Sequence, residues 1–580
     1  MTTLDYLQMA SAHKGRDIAS YDHVLDVNLI TNFTDEVFKK FLFGVALERN
    51  TFLNISPVPY RQYHLNLKDK KSALWQGQAD ITFILFDINP FIKSAFYPDS
   101  GHLAEVMEDI RAYSIAQKGP VVMGTFPSPY QNTYGNNFKE HPIFSFVVEA
   151  NNALQDLSDS TNNLYLLDIN RLFHLYGESN ARDLRNAHAF DLPFSNTFSL
   201  AMAKECFAYI QTLLGQARKC IVLDLDGVLW GGIVGEVGPL GVAVGPEYPG
   251  NAYHNFQRIL LEFQERGILL AINSHNNLQD VLEVFQKNPH MVLREEHFSA
   301  IRANWNNKAQ NLIEIAKELN IGMDHLIFLD DDPVNRELVK LKLPQVLVPE
   351  LPVFPEGYAP QLLSLNAFTQ FKLTEEDKKR AKMYAEEQKR KAVFESVETI
   401  DDYIDQLKIV VAVDCNAVSL IPRLSQMTLK TNQFNITTRR YSEKNIETYM
   451  KDGLVFSGTV SDKFGEYGTT ILAILCPTDD QKHMVLDSFL MSCRVMGRGI
   501  EQAFFRYIVK ELASRGVLKL SASFIPTPKN HPAKDFLPEA GFRKETEGAS
   551  EISYSLDIPE YLENAAVKIH NAISIKSRTQ

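Results

Sequence analysis

Three short apolar runs, each followed at once by polar or acidic residues, constrain the fold of this chain more than any other feature. The runs are Cys220 to Leu223, Ile268 to Asn273 and Leu326 to Leu329. Short apolar runs bounded by turn residues are typical of the central strands of a parallel sheet. Open α/β sheets bind their ligands at the carboxyl ends of such strands, so the residues that follow the runs are the first candidates for a functional site.

The first run belongs to the stretch K-C-I-V-L-D-L-D-G-V-L-W-G-G, from Lys219 to Gly232. Asp224 and Asp226 lie two residues apart in it. Two acids so placed can hold a hard cation such as Mg²⁺, while one attacks phosphorus or carbon and the other moves a proton. A plain turn between a strand and a loop has the same composition, so this motif alone leaves both interpretations open.

The second run is followed by Ser274, His275 and Asn276, after a glycine-rich segment that predicts a hairpin flap beside the site. A hydroxyl at the end of a strand can bind a phosphoryl oxygen, and the amides of the next helix add to that site. Ser274 is equally suited to cap the helix predicted from Leu278 to Gln286.

Lys308 and an acidic triplet complete the pattern. Lys308 starts the helix predicted from Ala309 to Leu319, where a cation opposes the helix dipole, and this unfavourable placement indicates a task such as neutralising a phosphoryl group. The third run ends in Asp330, Asp331 and Asp332, and adjacent acids repel one another unless a cation lies among them.

The order of these motifs resembles that of the haloacid dehalogenase (HAD) superfamily. The resemblance implies that Asp224 is the nucleophile and Asp226 the general acid and base. The residues implied to bind substrate phosphate are Ser274, His275, Asn276 and Lys308. The implied Mg²⁺ site comprises Asp224, the backbone carbonyl of Asp226, and Asp330 or Asp331. The spacing between motifs leaves no room for a cap domain, so an open site is expected in this HAD-like parallel sheet, over residues 216–350.

Residues 1–215 alternate apolar strands with amphipathic stretches, which predicts a flavodoxin-like α/β domain with a parallel sheet. A Ser-His-Asp hydrolase would need a nucleophile elbow or a G-D-S turn, and neither is present. The layout resembles an SGNH-hydrolase-type domain without its nucleophile. We therefore predict a scaffold or docking role, in which Thr34 caps a helix; Asp191 is the candidate partner for a histidine such as His188.

Residues 351–407 begin with prolines and continue into a charged helix predicted from Glu375 to Val397. Thr374 opens that helix as part of a capping box. Basic and acidic residues alternate along it, which favours a solvated helix over a surface for an acidic protein.

Residues 408–580 predict a mixed sheet whose strand from Met484 to Met491 leads into S-C-R-V-M-G-R-G, from Ser492 to Gly499. A strand followed by a glycine-rich turn and a helix exposes backbone amides to a phosphate. The R-x-x-G-x-G spacing resembles the acyl-CoA loop of GNAT acetyltransferases. The residues it assigns to phosphopantetheine are Arg494, Gly497, Arg498 and Gly499.

Cys493 is a candidate acyl carrier because it precedes an arginine near a predicted helix N-terminus, where a thiolate is favoured. Cysteine is also a common small core residue, so a buried role for Cys493 stays open. Cys220 is the rival thiol, but its place inside a strand favours the core.

Composition excludes several classes of protein. The formal net charge of -12 makes nucleic acid an unexpected partner. The cysteines form no C-x-x-C pair, which indicates a reducing compartment and no structural zinc. No signal-peptide pattern and no bilayer-spanning apolar run are present, so we expect a cytoplasmic protein without a membrane partner.

Five stretches together resemble the FkbH-like proteins of polyketide and related pathways. They are Lys219 to Gly232, Asn304 to Lys308, Phe328 to Arg336, Lys430 to Asn435 and Ser492 to Gly499. The resemblance implies an Mg²⁺-dependent acyltransferase with phosphatase activity. It would take glyceryl from 1,3-bisphosphoglycerate and deliver it as a thioester to the phosphopantetheine arm of an acyl carrier protein.

The chain departs from the family pattern at two places. Gly227-Val228 replaces the usual Asn-Thr, and His275 stands where the family has lysine. Two alternatives are kept beside the acyltransferase: an Mg²⁺-dependent HAD phosphatase acting on a small phosphorylated metabolite, and a non-enzymatic scaffold that docks a carrier protein.

Overall fold

The computed structural model describes residues 1–12, 17–94, 97–127, 134–373, 399–548, 550–563 and 573–578. The charged helix predicted from Glu375 to Val397, with its cap at Thr374, lies outside these residues. The chain forms two compact units, one of residues 1–213 with 441–446 and the other of residues 214–440 with 447–580.

The first unit contains a parallel sheet flanked by helices. The strands of this sheet are β1 (His23–Thr31), β2 (Thr51–Pro57), β3 (Ile81–Leu85), β6 (Val121–Gly124) and β7 (Leu164–Leu167). Strands β4 (Ile92–Ser94) and β5 (Tyr97–Pro98) form a separate antiparallel pair. The helices of this unit are Thr3–Ala12, Glu36–Glu48, Tyr63–Lys68, Ala73–Gln76, Ser100–Ala116, Pro142–Ser160, Ile169–Tyr176, Glu178–Ala181, Leu184–Phe190 and Asn196–Leu213. The parallel order β2-β1-β3-β6-β7 confirms the flavodoxin-like prediction.

Two local features of this unit differ from the sequence-based expectation. Strand β2 was not predicted, because it is an edge strand whose polar residues, such as Asn54 and Ser56, leave no continuous apolar run. The expected cap at Thr34 is wrong: Asp35 is the N-cap residue, and the Thr34 hydroxyl donates a hydrogen bond of 2.9 Å to the carbonyl of Phe190.

The second unit begins with a four-stranded parallel sheet, in the order β10-β9-β8-β11. Its strands are β8 (Cys220–Leu223), β9 (Leu269–Ser274), β10 (Phe298–Ala303) and β11 (Leu326–Leu329). Its helices are Val234–Val237, Gly250–Glu265, Leu278–Lys287, Lys308–Glu318, Pro333–Lys342 and Tyr358–Leu363. Strand order reverses around β8, and such a switch point is where open α/β sheets bind their ligands.

Both faces of this sheet are covered, which explains why its strands are continuously apolar. Ile221 and Leu223 pack with helix Gly250–Glu265, while Cys220 and Val222 pack with helix Lys308–Glu318 on the other face. Cys220 is fully buried, and burial raises the pKa of its thiol. The structure therefore assigns Cys220 to the core.

The glycine-rich segment after β8 is not the hairpin that the sequence predicted. One antiparallel bridge between Gly231 and Ala243 joins its ends, and the short helix Val234–Val237 lies between them. The segments between β8, β9 and helix Lys308–Glu318 hold this flap, helices and strand β10. The carboxyl ends of the strands thus carry a flap in place of a cap domain.

The same unit continues into a mixed sheet, in the order β18-β19-β17-β16-β15-β14-β12-β20, with β13 paired to β16. Its strands are β12 (Val410–Cys415), β13 (Phe434–Asn435), β14 (Leu454–Asp462), β15 (Gly465–Pro477), β16 (His483–Met491), β17 (Lys519–Phe524), β18 (Arg543–Glu547), β19 (Ile552–Asp557) and β20 (Ser574–Ser577). Its helices are Ile400–Leu407, Ile421–Lys430, Ile500–Ser514, Phe536–Glu539 and Ile558–Glu563. Helix Glu443–Asp452 begins within residues 441–446 of the first unit and continues into the second.

Helix Ile500–Ser514 contributes Phe504, Phe505 and Ile508 to the core of the mixed sheet. The sheet combines parallel pairs, such as β16 with β17, and antiparallel pairs, such as β14 with β15, which confirms the predicted mixed sheet. Throughout the described ranges, no helix combines the length and the apolar character that crossing a membrane requires.

Candidate functional site

Three carboxylates converge at the carboxyl ends of β8 and β11. Oxygen atoms of Asp224, Asp330 and Asp331 all lie within 4.8 Å of one another. Strands β8 and β11 are paired, so the residues that follow them meet at one edge of the sheet. Carboxylate oxygens are the ligands that Mg²⁺ prefers, and this set fits the ion that the sequence predicted.

Lys308 lies among these acids, although it belongs to a different element. Its ammonium Nζ is 3.0 Å from Asp224 Oδ2 and 3.1 Å from Asp330 Oδ2, and it donates a 2.8 Å hydrogen bond to the carbonyl of Asn273. The Asn273 amide donates in return to the carbonyl of Lys308, at 2.9 Å. This exchange fixes the first turn of helix Lys308–Glu318, and the lysine side chain is only 1% exposed.

The acids repel one another despite this cation. Desolvation, followed by the charge of Asp224, raises the pKa of Asp330 to about 6. The same two causes raise the pKa of Asp331. A divalent cation bound among the carboxylates would relieve that repulsion, because it favours their charged forms.

We expect Mg²⁺ binding to weaken steeply below pH 6. Asp330 must lose its proton to act as a ligand, so each pH unit below a pKa of about 6 should lower the apparent affinity about tenfold. Isothermal titration with Mg²⁺ between pH 7.5 and pH 4.5 measures this dependence. Asp330→Asn should bind Mg²⁺ weakly at every pH and lose the transition near pH 6. A transition unchanged in that variant would assign the proton to another group.

Gly227 allows Asp331 to reach the cluster. Its φ is +75°, and a Cβ atom on this residue would lie 2.3 Å from Asp331 Oδ2. Asparagine tolerates a positive φ, but its Cβ would still displace that carboxylate. The departure from the family sequence at Gly227 therefore accompanies this placement of Asp331.

The Asp226 carboxylate is not part of the three-acid cluster and is held by other groups. Its Oδ1 accepts hydrogen bonds from the Trp230 indole at 2.7 Å and the Val234 amide at 3.1 Å. Its Oδ2 accepts from the Asn276 amide at 2.9 Å. Asp226 is thus held by the flap and by the loop after β9, separate from the acids, as a proton-transfer group requires.

Ser274, which ends β9, and the two residues that follow it have different roles in the structure. The interpretation of Ser274 as a helix cap is wrong, because Asn277 caps helix Leu278–Lys287. Ser274 is buried, and its hydroxyl accepts a 3.0 Å hydrogen bond from Asn276. His275 stacks on Trp305, and its Nε2 donates to the carbonyl of Asn306 at 2.9 Å.

The third acid of the triplet has a structural role. Asp332 caps helix Pro333–Lys342, and its Oδ1 accepts a 2.8 Å hydrogen bond from the Val334 amide. Only the first two members of Asp330-Asp331-Asp332 therefore belong to the cluster with Asp224.

A cavity lies at the end of this sheet opposite to the acid cluster. Lys219 and His325 precede β8 and β11, and Leu269 begins β9, so these lining residues mark the amino ends of the strands. The residues that line the cavity are Lys219, Leu269, Asn320, Ile321, Gly322, His325, Arg423, Met427, Lys430, Thr431, Asn432, Gln433, Met491, Ser492, Cys493 and Arg494. The acid cluster and this cavity are two sites on opposite edges of one sheet.

The lining of this cavity is cationic. Four of its residues are cationic, Lys219, Arg423, Lys430 and Arg494, and no carboxylate is found among the described residues that line it. The Arg423 guanidinium donates to the Thr469 carbonyl and to the Gln426 side chain. His325 stays neutral, because burial and the charge of Lys219 lower its pKa to about 3. Its Nδ1 donates to the carbonyl of Ala217 at 2.9 Å, which leaves Nε2 to accept from the Lys219 ammonium at 3.0 Å.

Cys493 is half-buried in the cavity lining. It begins a short 3-10 turn, Cys493–Val495, and its carbonyl accepts a 2.6 Å hydrogen bond from the Asn320 side chain. The long helix starts at Ile500, after the Ser492 to Gly499 stretch as predicted, so Cys493 lies seven residues before its first residue. Cys493 shares the lining of the cavity with the cationic residues named above.

The stretch K-T-N-Q-F-N has two structural roles. Its first part lines the cavity, where Arg440 holds it through hydrogen bonds to the Thr431 carbonyl and the Asn432 side chain. Its second part, Phe434–Asn435, pairs with β16. No role was predicted for Lys430 to Asn435, although this stretch is one of the five that resemble the FkbH-like proteins.

That second part also fills a gap between two strands. Strands β16 and β17 pair in parallel only over residues 483–486 and 519–522. Beyond that point the Ile436 amide donates to the Phe489 carbonyl at 3.1 Å, and the Ile525 amide donates to the Ile436 carbonyl at 2.9 Å. A peptide-like ligand such as pantetheine could add as a strand in such a gap, but here the chain itself occupies it.

The residues predicted to bind phosphopantetheine are split by the structure. Gly497 and Gly499 have positive φ angles of 74° and 71°, as the predicted turn requires. Arg494 lines the cavity, and its Nε donates to the Ser492 hydroxyl at 3.2 Å. Arg498 is instead buried and hydrogen-bonded to Tyr467, so its guanidinium faces the protein interior.

The first unit lacks a triad at the positions that the sequence offered. The Asp191 carboxylate accepts a hydrogen bond from Tyr60 and lies 3.6 Å from Arg61, and no contact with His188 is seen in the described part of the unit. At the carboxyl end of β3, Asp87 pairs with Arg182 at 3.1 Å and is buried. These groups are engaged in structural contacts.

Comparisons with known proteins agree with this description. No protein-family model matches the chain, and no curated protein matches it. A solved structure of the N-terminal part of a Bacteroides fragilis protein containing a phosphatase domain, complexed with Mg, is similar. It has 26% sequence identity and a TM-score of 0.60, and the match covers 64% of this chain and 100% of that chain.

Two acetyltransferase structures match the C-terminal region by fold alone. A putative GNAT acetyltransferase from Desulfovibrio desulfuricans has 17% identity and a TM-score of 0.21, covering 26% of this chain and 99% of that chain. The ribosomal-protein-S18-alanine N-acetyltransferase from Escherichia coli has 16% identity and a TM-score of 0.21, covering 26% of this chain and 94% of that chain. The similarity to the Bacteroides fragilis structure supports a phosphatase-like domain in this chain.

Proposed function

We propose that this chain is an FkbH-like acyltransferase with phosphatase activity. It would load glyceryl, or a related phosphorylated three-carbon acid, from 1,3-bisphosphoglycerate onto the phosphopantetheine arm of an acyl carrier protein. One observation carries the proposal: a thiol, Cys493, lies in a cationic cavity of the same compact unit that holds the acid cluster. Thiols accept acyl groups, and cations attract the phosphorylated acids that deliver them.

Phosphate removal belongs to the acid cluster in this proposal. Asp224 attacks the phosphorus of a phosphate ester and Asp226 protonates the leaving alcohol; Asp226 then takes a proton from the water that hydrolyses the aspartyl phosphate. Lys308 contacts Asp224 and so lies where it can neutralise the phosphoryl oxygens. Asp224, Asp330 and Asp331 would hold Mg²⁺, which supplies further positive charge when bound.

Exposed apolar side chains around the acid cluster support a macromolecular substrate. Ile233, Leu278, Trp305 and Val334 lie within a few residues of the site residues, and all are exposed, Trp305 at 78% and Val334 at 72%. Each of the four comes after the carboxyl end of a different strand of the sheet, and exposed apolar side chains brought together there would suit a protein partner. An open site with such a rim suits a carrier protein that presents its substrate on an arm.

Mass spectrometry of the carrier protein tests this function. Carrier incubated with the enzyme, 1,3-bisphosphoglycerate and Mg²⁺ should gain one glyceryl group on its phosphopantetheine arm. Cys493→Ala should abolish this gain, while Cys476→Ala, which removes another half-buried thiol, should retain it. Unmodified carrier in the wild-type reaction would refute the donor and acceptor assignment.

An Mg²⁺-dependent phosphatase for a small metabolite is the second candidate. The acid cluster favours it, because every group that this chemistry needs comes from residues 224–331. In that case Cys493→Ala would leave the turnover of the phosphorylated substrate unchanged, and the carrier would stay unmodified.

A further inference from the structure

The Asp226 carboxylate accepts three hydrogen bonds, and they are divided unequally between its two oxygens. Its Oδ1 accepts from the Trp230 indole at 2.7 Å and from the Val234 amide at 3.1 Å, whereas its Oδ2 accepts from the Asn276 side chain at 2.9 Å. Each oxygen of an ionised carboxylate has two acceptor positions. Both positions of Oδ1 are therefore occupied, and one position of Oδ2 is open among the described residues.

We propose that Trp230 is a positioning residue for proton transfer at the acid cluster. Its indole and the Val234 amide bind Oδ1 of Asp226, so that Oδ2 is the oxygen that gives a proton to the leaving alcohol. This inference rests on the phosphate-removing half of the proposed function, and it depends on neither Cys493 nor a carrier protein.

The Trp230 indole is itself fixed by its surroundings. It is fully buried, and its ring packs edge-on against Phe285 of helix Leu278–Lys287, with 6.0 Å between the ring centroids. The Gly227 amide donates to the Trp230 carbonyl at 2.9 Å, which closes the turn between the acid and the indole. The indole N–H can therefore leave Asp226 only if core packing is broken.

The acceptor that this indole uses distinguishes a positioning role from ordinary packing. A buried indole N–H requires an acceptor, so the contact also satisfies the fold. Trp75 meets the same need with a backbone carbonyl, that of Leu67, at 2.8 Å. Trp230 instead uses a half-buried carboxylate, and the Val234 amide, which begins a short helix, is directed at the same oxygen. Two donors on one oxygen fix the orientation of the carboxylate.

The proton transfer balances with the groups already named. An oxygen of Asp224 forms a bond to phosphorus as the bond from phosphorus to the alcohol oxygen breaks, and the alcohol oxygen keeps that electron pair. A proton on Oδ1 of Asp226 would face two groups that only donate, so Oδ2 carries it. The O–H bond at Oδ2 breaks as the alcohol oxygen takes the proton. Oδ2 regains a proton from the water that hydrolyses the aspartyl phosphate.

Two phosphate esters with different leaving groups test this role. p-Nitrophenyl phosphate releases a stable phenolate and needs no proton donor, whereas benzyl phosphate releases an alkoxide unless a donor protonates it. The two esters are compared by kcat/KM, because this constant includes departure of the alcohol and excludes the later hydrolysis of the aspartyl phosphate.

Trp230→Phe keeps an aromatic ring in the core and removes the indole N–H. It should lower kcat/KM about tenfold for benzyl phosphate and within about twofold for p-nitrophenyl phosphate, because one hydrogen bond to a charged group is lost. Asp226→Asn should show the same pattern with a loss of about a hundredfold for benzyl phosphate. A misfolded fraction lowers both rates by the same factor, so the ratio of the two rates reports positioning.

Val234→Pro removes the second donor from Oδ1 and should change the ratio in the same direction. Proline is tolerated at the first residue of a helix, and Ile233, with φ -99° and ψ 116°, has the extended backbone that a residue before proline requires. Val234→Ala keeps the amide and should keep the wild-type ratio. Trp75→Phe, which removes an indole N–H bonded to a backbone carbonyl, should keep it as well.

The indole N–H signals in a ¹⁵N NMR spectrum check the contact without substrate or Mg²⁺. The chain has three tryptophans, and the signals of Trp230 and Trp75 are identified by their loss in Trp230→Phe and Trp75→Phe. A hydrogen bond to a carboxylate moves an N–H signal downfield. Asp226→Asn should therefore move the Trp230 signal upfield and leave the Trp75 signal in place.

The outcomes separate this inference from the proposed function. An unchanged ratio in both Trp230→Phe and Val234→Pro, or a Trp230 signal that Asp226→Asn does not move, would overturn the positioning role while phosphate removal stands. A wild-type protein that hydrolyses neither ester with Mg²⁺ would instead refute the chemistry proposed for the acid cluster, and the positioning role with it.

Discussion

Asp224→Asn is expected to lower Mg²⁺-dependent phosphate release from a phosphate ester such as p-nitrophenyl phosphate by at least about a thousandfold while leaving the protein folded. The amide cannot form the aspartyl phosphate, and it removes one of the three carboxylates that converge within 4.8 Å. It also relieves repulsion, because the charge of Asp224 is one cause of the raised pKa of Asp330. Stability should therefore hold or rise as activity disappears. Phosphate release by malachite green assay and a thermal unfolding curve measure the two effects.

Asp332→Asn is the matched control for that experiment. Asp332 is the third acid after β11, but it caps a helix, and asparagine caps helices as well as aspartate does. This variant should keep phosphate release within about twofold of wild type. If Asp224→Asn retained a tenth or more of the wild-type rate, Asp224 would not be the nucleophile.

Residues that follow the strands of a parallel sheet were predictable because the chemistry is local. Each apolar run predicts a buried strand, and the end of the run predicts which side chain lies at the ligand-binding edge of the sheet. Asp224, Lys308 and Asp330 were placed by this reasoning before their contacts were known, and the structure brings them together. Asp331 lies in the cluster with them, and Asp332 does not. The sequence could not separate these two acids, because aspartate serves equally as a helix cap and as a metal ligand.

The cavity around Cys493 was beyond such reasoning, because its walls come from stretches about a hundred residues apart. Lys219, Asn320, Lys430 and Cys493 meet only once the two sheets of the second unit have packed together. No periodicity or spacing in the sequence encodes that packing. The same holds for Phe434–Asn435, whose two-residue strand is too short to give a pattern.

Gly227 shows how a departure from a family pattern can be read once contacts are known. In the sequence it is only one of two departures from the family pattern. In the structure its φ is +75° and a Cβ there would lie 2.3 Å from Asp331 Oδ2, so glycine accounts for the placement of that carboxylate. His275 is different. Its imidazole ring stacks on Trp305 and donates to the Asn306 carbonyl. This position therefore holds an oriented imidazole where the family pattern has lysine.

Lys308→Met is expected to destabilise the second unit by about 3 kcal/mol at pH 7.5 without Mg²⁺ and to abolish phosphate release. Removing one partner from a buried set of charges leaves the others uncompensated. The variant would leave Asp224 and Asp330 facing each other, and the Lys308 side chain that now separates them is 1% exposed. Methionine fills a similar volume, so the loss reports charge more than packing.

The pH dependence of this loss distinguishes charge from packing. The pKa of Asp330 is about 6 in the folded protein against an ordinary value of 3.8. Its ionisation therefore destabilises the fold increasingly as the pH rises from 3.8 to about 6, fully above that pH, and not at all below pH 3.8. Without Lys308 that pKa rises further. The gap in unfolding temperature between wild type and Lys308→Met should therefore be widest at pH 7.5 and narrow toward pH 4.5.

Lys317→Met provides the control, because Lys317 is an exposed residue of the same helix. It should shift the unfolding temperature little and equally at both pH values. Saturating Mg²⁺ should restore much of the stability of Lys308→Met at pH 7.5, since a bound cation replaces the missing charge among the carboxylates. A gap that is the same at pH 4.5 and pH 7.5 would show that Lys308 contributes packing alone, and the acid cluster would then be stable without a cation.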